Sequence, residues 1–150
     1  MISEVDERDL QIFIEGALHY FDQISDEHAE VRPPYLLNGD LQVDDFTGVI
    51  GINGAREGSI YFTAPRAMLR HILLALGESA SNDELYSDLV GEIANTISGN
   101  ARRQLGSEFN ISVPKVIREH IIELLEKNVH PFAIPIRWKS YTSSLVIRIH

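Results

Sequence analysis

No cysteine occurs in the 150 residues of this chain. Disulfides, thiolate metal sites and cysteine nucleophiles are thereby excluded, and a reducing compartment is the expected setting. Positive charge is scarce as well: 13 lysines and arginines stand against 22 aspartates and glutamates, a formal net charge of -9. Such a balance repels phosphate backbones and anionic headgroups, so neither nucleic acid nor a membrane surface is an expected partner. Long apolar runs are missing too. The longest clusters, such as Ile72 to Leu76, fall far short of the roughly 20 residues that span a bilayer. The opening MISEVDERDL has acids where a secretory signal has a basic and then an apolar segment. A cytoplasmic protein is the expectation. Repeats, low-complexity tracts and linker-like stretches are also wanting, and a 44% hydrophobic composition over this length suits one core. A single domain spanning residues 1–150 follows.

What is present is a readable order of elements. Leu10, Phe13, Ile14, Ala17, Leu18, Phe21 and Ile24 recur at three- and four-residue steps and predict an amphipathic helix from Ser3 to about Ile24. Val31-Arg32-Pro33-Pro34 ends it. Phe46 to Ile52 and Ser59 to Thr63 flank Asn53-Gly54 and Gly58 as a β-hairpin, with Tyr35 to Val43 as a possible strand before it. A second helix starts at Pro65, carries Met68, Leu69, Ile72, Leu73 and Leu76, and stops at Gly77. Ser81 and Glu84 read as a capping box opening a long third helix that runs to about Leu105, before Gly106. Phe109 to Val113 reads as a strand and Val116 to Lys127 as a short amphipathic helix. The tail alternates: Phe132, Ile134, Ile136 and Trp138, then Leu145, Ile147 and Ile149, predict a closing hairpin around Tyr141. The class is α+β, an antiparallel sheet packed with long helices.

The third helix holds the chemistry. Projected at about 100 degrees per residue, Leu85, Tyr86, Leu89, Val90, Ile93, Ala94, Ile97 and Ala101 form a buried arc, with Asn100 at its edge. Asp88, Glu92, Asn95 and Gly99 gather opposite, beside Gly91 and Arg102, on an exposed face. Gly91, Ser98 and Gly99 add almost no bulk there. Glycine inside a helix costs about 1 kcal/mol relative to alanine. A face that another protein's backbone approaches closely gives a reason for that cost. An acid and an asparagine three apart are ordinary on a solvated helix, so the spacing alone has little force.

The wider pattern has more. Asp88, then Glu92-Ile93-Ala94-Asn95, then Gly99, and later Pro114 in Ile111-Ser112-Val113-Pro114 resemble the signature of the CheC, CheX and FliY chemotaxis phosphatases. The motif occurs once, as in CheX, whereas CheC and FliY types carry it twice. Pro114 lies closer to Asn95 than in the family pattern, and the helix expected from Val116 to Lys127 is an addition to it. The resemblance implies a phosphatase acting on the aspartyl phosphate of a CheY-like response regulator. It implies Glu92 and Asn95 as catalytic residues, with Asp88, Gly91, Gly99, Arg102 and Pro114 meeting the partner. It implies no cofactor of the chain's own, magnesium in the partner regulator, and a homodimer, for which the C-terminal strands offer an edge. A module that binds a regulator without turnover, and a purely structural domain, are the rival readings.

Other residues point nowhere in particular. His19, His28, His71, His120, His130 and His150 show no paired metal-ligand spacing, and no Gly-x-Ser-x-Gly elbow is present. Gly48, Gly51, Gly54 and Gly58 fall in the first hairpin and read as turn residues rather than a phosphate cradle.

Overall fold

The computed structural model describes residues 5–106, 109–124 and 130–149. Helix α1 (Glu7–Ile24) begins at Asp6, whose carboxylate accepts from the Asp9 amide while the Asp9 side chain caps the Asp6 amide in return. The predicted start at Ser3 lies outside the described residues. After two short strands, β1 (Glu30–Val31) and β2 (Tyr35–Leu36), comes β3 (Leu41–Gln42), so the expected Tyr35–Val43 strand is broken into two pieces. Gly39, with φ of 81°, turns the chain between them. The hairpin of β4 (Phe46–Gly54) and β5 (Gly58–Ala64) and the helix α2 (Arg66–Ala75) lie where the patterning put them.

Helix α3 (Asp83–Leu105) is capped by Asn82 rather than Ser81: its side chain accepts from the Leu85 amide at 2.9 Å. Asparagine caps as well as serine, and a cap at 82 displaces Glu84 from the third position that a capping box needs. Then follow β6 (Phe109–Ile111), β7 (Lys115–Ile117), β8 (Ile121–Ile122), β9 (Phe132–Trp138) and β10 (Tyr141–Ile149). The helix expected at Val116–Lys127 is therefore corrected to strands over its first part, and Leu125 to Lys127 lie outside the described residues. Val116 pairs with Gly48 on the free edge of β4, and Ile122 with Leu41. These β-branched residues satisfy their backbone on neighbouring strands, and tertiary pairing overrides a helical period that few residues carry.

The main sheet runs β1-β9-β10-β5-β4-β6, with β2 also on β9 and β7 also on β4; all its pairings are antiparallel. The C-terminal hairpin is thus interior, because β10 lies between β9 and β5 and the outer side of β9 is taken by β1 and β2. This corrects the expectation that these strands offer a free edge. Alternation splits each central strand between two cores. Ile60, Phe62, Ile134, Ile136, Leu145 and Ile147 pack with the three helices. Tyr61, Ala133 and Val146 face the other way, under Leu41 and Leu124.

One glycine sets the depth of α3 on the sheet. A Cβ at Gly48 would lie 2.5 Å from the Val90 carbonyl oxygen and 3.1 Å from Ala94 Cβ. The hairpin placement holds but the turn reading of Gly48 and Gly51 is corrected: both lie within β4, and at Gly48 the missing side chain admits the helix backbone.

Candidate functional site

The long helix is polarised along its axis and across it. Asp83 and Glu84 occupy its first turn and Arg102 and Arg103 its last, each matching the helix dipole. Arg66 donates twice to Asp83, at 3.1 and 3.0 Å, and holds that carboxyl below its usual range. Arg118 reaches the same carboxylate at 3.4 Å while its guanidinium stacks 3.9 Å from the centre of the Phe46 ring. One end of α3 is therefore fastened to α2 and to the β7–β8 link.

Across the axis, Leu89, Val90, Ile93, Ala94, Ile97 and Ala101 are buried. Burying large apolar side chains stabilises by roughly 1.5–3 kcal/mol each, which fixes the rotation of the helix. Asp88, Glu92 and Asn95 are left exposed and Gly99 half-buried, as the projection implies. Glu92 and Asn95 project from one rod three residues apart, about 5–6 Å between Cβ atoms. Thr96 Oγ1 donates to the Glu92 carbonyl at 2.8 Å, which leaves the Glu92 carboxylate clear of that contact.

The flanks of this ridge differ from the projected picture. Gly91 is buried, and so is Ser98. A Cβ at Gly91 would stand 3.4 Å from Pro114 Cβ and 3.6 Å from Val116 Cγ2. Gly91 is thus covered by the β6–β7 segment of the chain itself, which corrects its expected place as a partner contact. Pro114 is exposed beside it, with Val113 78% exposed next to it. Pro114 and the helix motif are therefore brought together, the proline forming a shoulder on one side of the ridge. Arg102 is exposed, but its Nε donates to the Phe109 carbonyl at 3.1 Å and ties the helix end to β6.

On the other side lies α1, which the sequence reading gave no part in the site. A Cβ at Gly16 would come 3.0 Å from Asn100 Nδ2, so its absence lets the two helices approach. Asn100 Oδ1 accepts from Arg103 Nη2 at 3.0 Å. Tyr20 faces this seam; burial, and then the Glu92 carboxylate, push its phenol well above the ordinary value. It therefore stays a neutral hydroxyl at neutral pH. The small-residue pair Gly16-Ala17 was the signal in the sequence that α1 makes a close helix contact.

Among the described residues no group of three histidine, aspartate or glutamate side chains is arranged to hold a metal ion, and no helix is long and apolar enough to cross a membrane.

The family model described as chemotaxis phosphatase CheX matches residues 46–137, from the start of β4 into β9. The chain belongs to that family. Solved structures agree with this CheX-family assignment. A CheC-like superfamily protein from Shewanella sp. PV-4 is 25% identical over 97% of this chain and 99% of its own, with a TM-score of 0.83. The chemotaxis protein CheX from Vibrio vulnificus is 22% identical over 95% of this chain and 99% of its own, at 0.81. CheX of Borrelia burgdorferi, solved in a CheX-CheY-BeF3-Mg+2 complex, is 20% identical over 98% of this chain and 99% of its own, at 0.76. No curated protein matches the chain in sequence. The α+β fold of this CheX-family chain is that of its structural neighbours, and the matched segment includes α3 with Asp88, Glu92, Asn95 and Gly99, and Pro114 after it.

Proposed function

We propose that this chain is a phosphatase for the aspartyl phosphate of a CheY-like response regulator, and that Glu92 and Asn95 do its work inside the regulator's own active site. The observation that carries the reading is that both side chains stand exposed, one turn apart, on a helix whose opposite face is fully packed. A rigid rod with two short polar prongs can enter a pocket without losing its own core. The complex of the Borrelia burgdorferi family member with CheY supports the choice of partner.

Asn95 offers an amide oxygen and an amide nitrogen on a short stem, so it can hold a water in line with phosphorus. The water oxygen forms a new bond to phosphorus as the bond from phosphorus to the aspartyl oxygen breaks. Inorganic phosphate leaves, the regulator regains its carboxylate, and one water is consumed. Glu92 pairs with a lysine of the regulator and holds the helix in register on it. The magnesium in this scheme is the regulator's, and the chain supplies no cofactor. Asp88, a turn before Glu92, and Pro114, on the shoulder, border the same contact.

The experiment is phosphate release from the phosphorylated response regulators of the same cell, with and without this chain. Acceleration by the wild type and its loss in Asn95→Ala, with the regulator still bound, support the reading. Wild-type protein that accelerates none of them overturns it.

A further inference from the structure

The ridge that carries Glu92 and Asn95 continues into a groove. About 490 Å³ of space opens between His19, Tyr20 and Gln23 of α1 and Asn95, Gly99 and Arg103 of α3. Gly99 holds it open: nothing lies within 4 Å of where its Cβ would stand, so the chain's own packing gains nothing from glycine there. A helical glycine with no internal reason is unfavourable unless the empty space is used. The charge of the groove also runs against the rest of the molecule. The chain carries a net charge of -9, yet no carboxylate is among the residues lining this groove, where His19 and Arg103 are exposed; Glu92 acts on it only from beyond Tyr20. Arg103 is oriented by its hydrogen bond to Asn100, which occupies one of its guanidinium nitrogens and leaves the others to a partner.

We infer that this groove is a second contact for the response regulator, seating an acidic side chain of the regulator's surface against His19 and Arg103. Arg103 is eight residues beyond Asn95, about 12 Å along the helix, well within the footprint of one protein–protein interface. The inference rests on the phosphatase reading and adds a division of labour to it. Asn95 acts at the phosphoryl group and Glu92 holds the helix in register beside it; α1 and the C-terminal end of α3 add to which regulator is held and how tightly. Complementary charge at an interface acts mainly on partner choice and encounter rate, which suits such a role.

The test uses the full chain and the cell's response regulators, phosphorylated for turnover and loaded with beryllofluoride and magnesium for binding. Gly99→Leu fills the groove from a Cβ that has nothing within 4 Å and replaces a helical glycine, so its melting temperature should equal or exceed the wild type. Its KM and Kd for the regulator should rise at least tenfold while kcat stays within twofold. Arg103→Glu should do the same, and Arg103→Lys should keep most of the affinity. Asn95→Ala runs beside them and should lose kcat with binding retained. If Gly99→Leu and Arg103→Glu bind like the wild type while Asn95→Ala fails to turn over, the groove inference is overturned and the phosphatase reading stands. If no regulator binds, or Asn95→Ala turns over normally, the reading beneath it falls and the groove inference with it.

Discussion

On one face of α3, Val90, Ile93, Ala94 and Ile97 have no exposed surface; on the other, Asp88, Glu92 and Asn95 stand in solvent. The residues alternate along a single segment, yet they answer to different demands. The buried set is chosen by volume, because the sheet beneath leaves no slack at Gly48. The exposed set is not packed into the core and so is free to be chosen by a partner. The teaching of the contrast is that the inner face aims the outer one: a helix whose rotation and depth are fixed by packing presents Glu92 and Asn95 at a defined angle at no cost to themselves. It follows that stability and activity should separate cleanly by face, and five substitutions test how cleanly.

The largest effect on stability is expected from Ile93→Ala. Removing a fully buried isoleucine side chain leaves a cavity and should cost about 2–5 kcal/mol in a denaturant titration. Phosphatase activity per folded molecule should stay near the wild type. Asn95→Ala should show the reverse pattern: at least about a hundredfold fall in kcat, roughly 2.7 kcal/mol in barrier, with stability within about 0.5 kcal/mol. Equal losses of stability in the two variants would dissolve the contrast between the faces.

Gly48→Ala is expected to cross between them. The added methyl would lie 2.5 Å from the Val90 carbonyl oxygen, which must move. An overpacked core contact of this kind costs roughly 1–3 kcal/mol. It also lifts α3, so kcat should fall even though no exposed residue has changed. Retained kcat in a destabilised Gly48→Ala protein would show that the aim of the helix is not set by the sheet. Glu92→Ala should have a smaller consequence, about a tenfold rise in KM for the regulator from loss of one charged pair, roughly 1.4 kcal/mol, and unchanged thermal stability.

How much of this was legible in sequence differs between the two faces. The inner face and the exposed ridge followed from period alone, since one long helix with strong caps at both ends leaves little freedom in which way each residue points. The neighbours of the ridge did not. Gly91 projects beside Glu92 on a wheel, but a wheel does not show that Pro114 and Val116 lie over it. Those residues are there because β7 takes the free edge of β4, a pairing between segments about 70 residues apart that no local window contains. The same long-range pairing made Val116 and Ile117 strand where their spacing suggested helix. Likewise α1 was clear as a helix, yet its place beside α3 depends on Gly16 meeting Asn100, a contact between two helices rather than a property of either.

The smallest expected effect concerns a glycine that the chain covers and one that it leaves open. Gly91 and Gly99 are both helical and eight residues apart. At Gly91 a methyl would meet Pro114 at 3.4 Å and Val116 at 3.6 Å, ordinary contacts with the chain itself, so Gly91→Ala would add packing there as well as helix propensity. At Gly99 there is no such neighbour within 4 Å. Gly99→Ala should therefore gain most of the propensity difference, about 0.5–1 kcal/mol of added stability by denaturant or thermal melting. A methyl is too small to fill the groove, so regulator affinity should fall by no more than about threefold, roughly 0.7 kcal/mol. A loss of stability in Gly99→Ala would mean that the fold itself needs the glycine, and the space beside Asn95 would then need no partner to account for it.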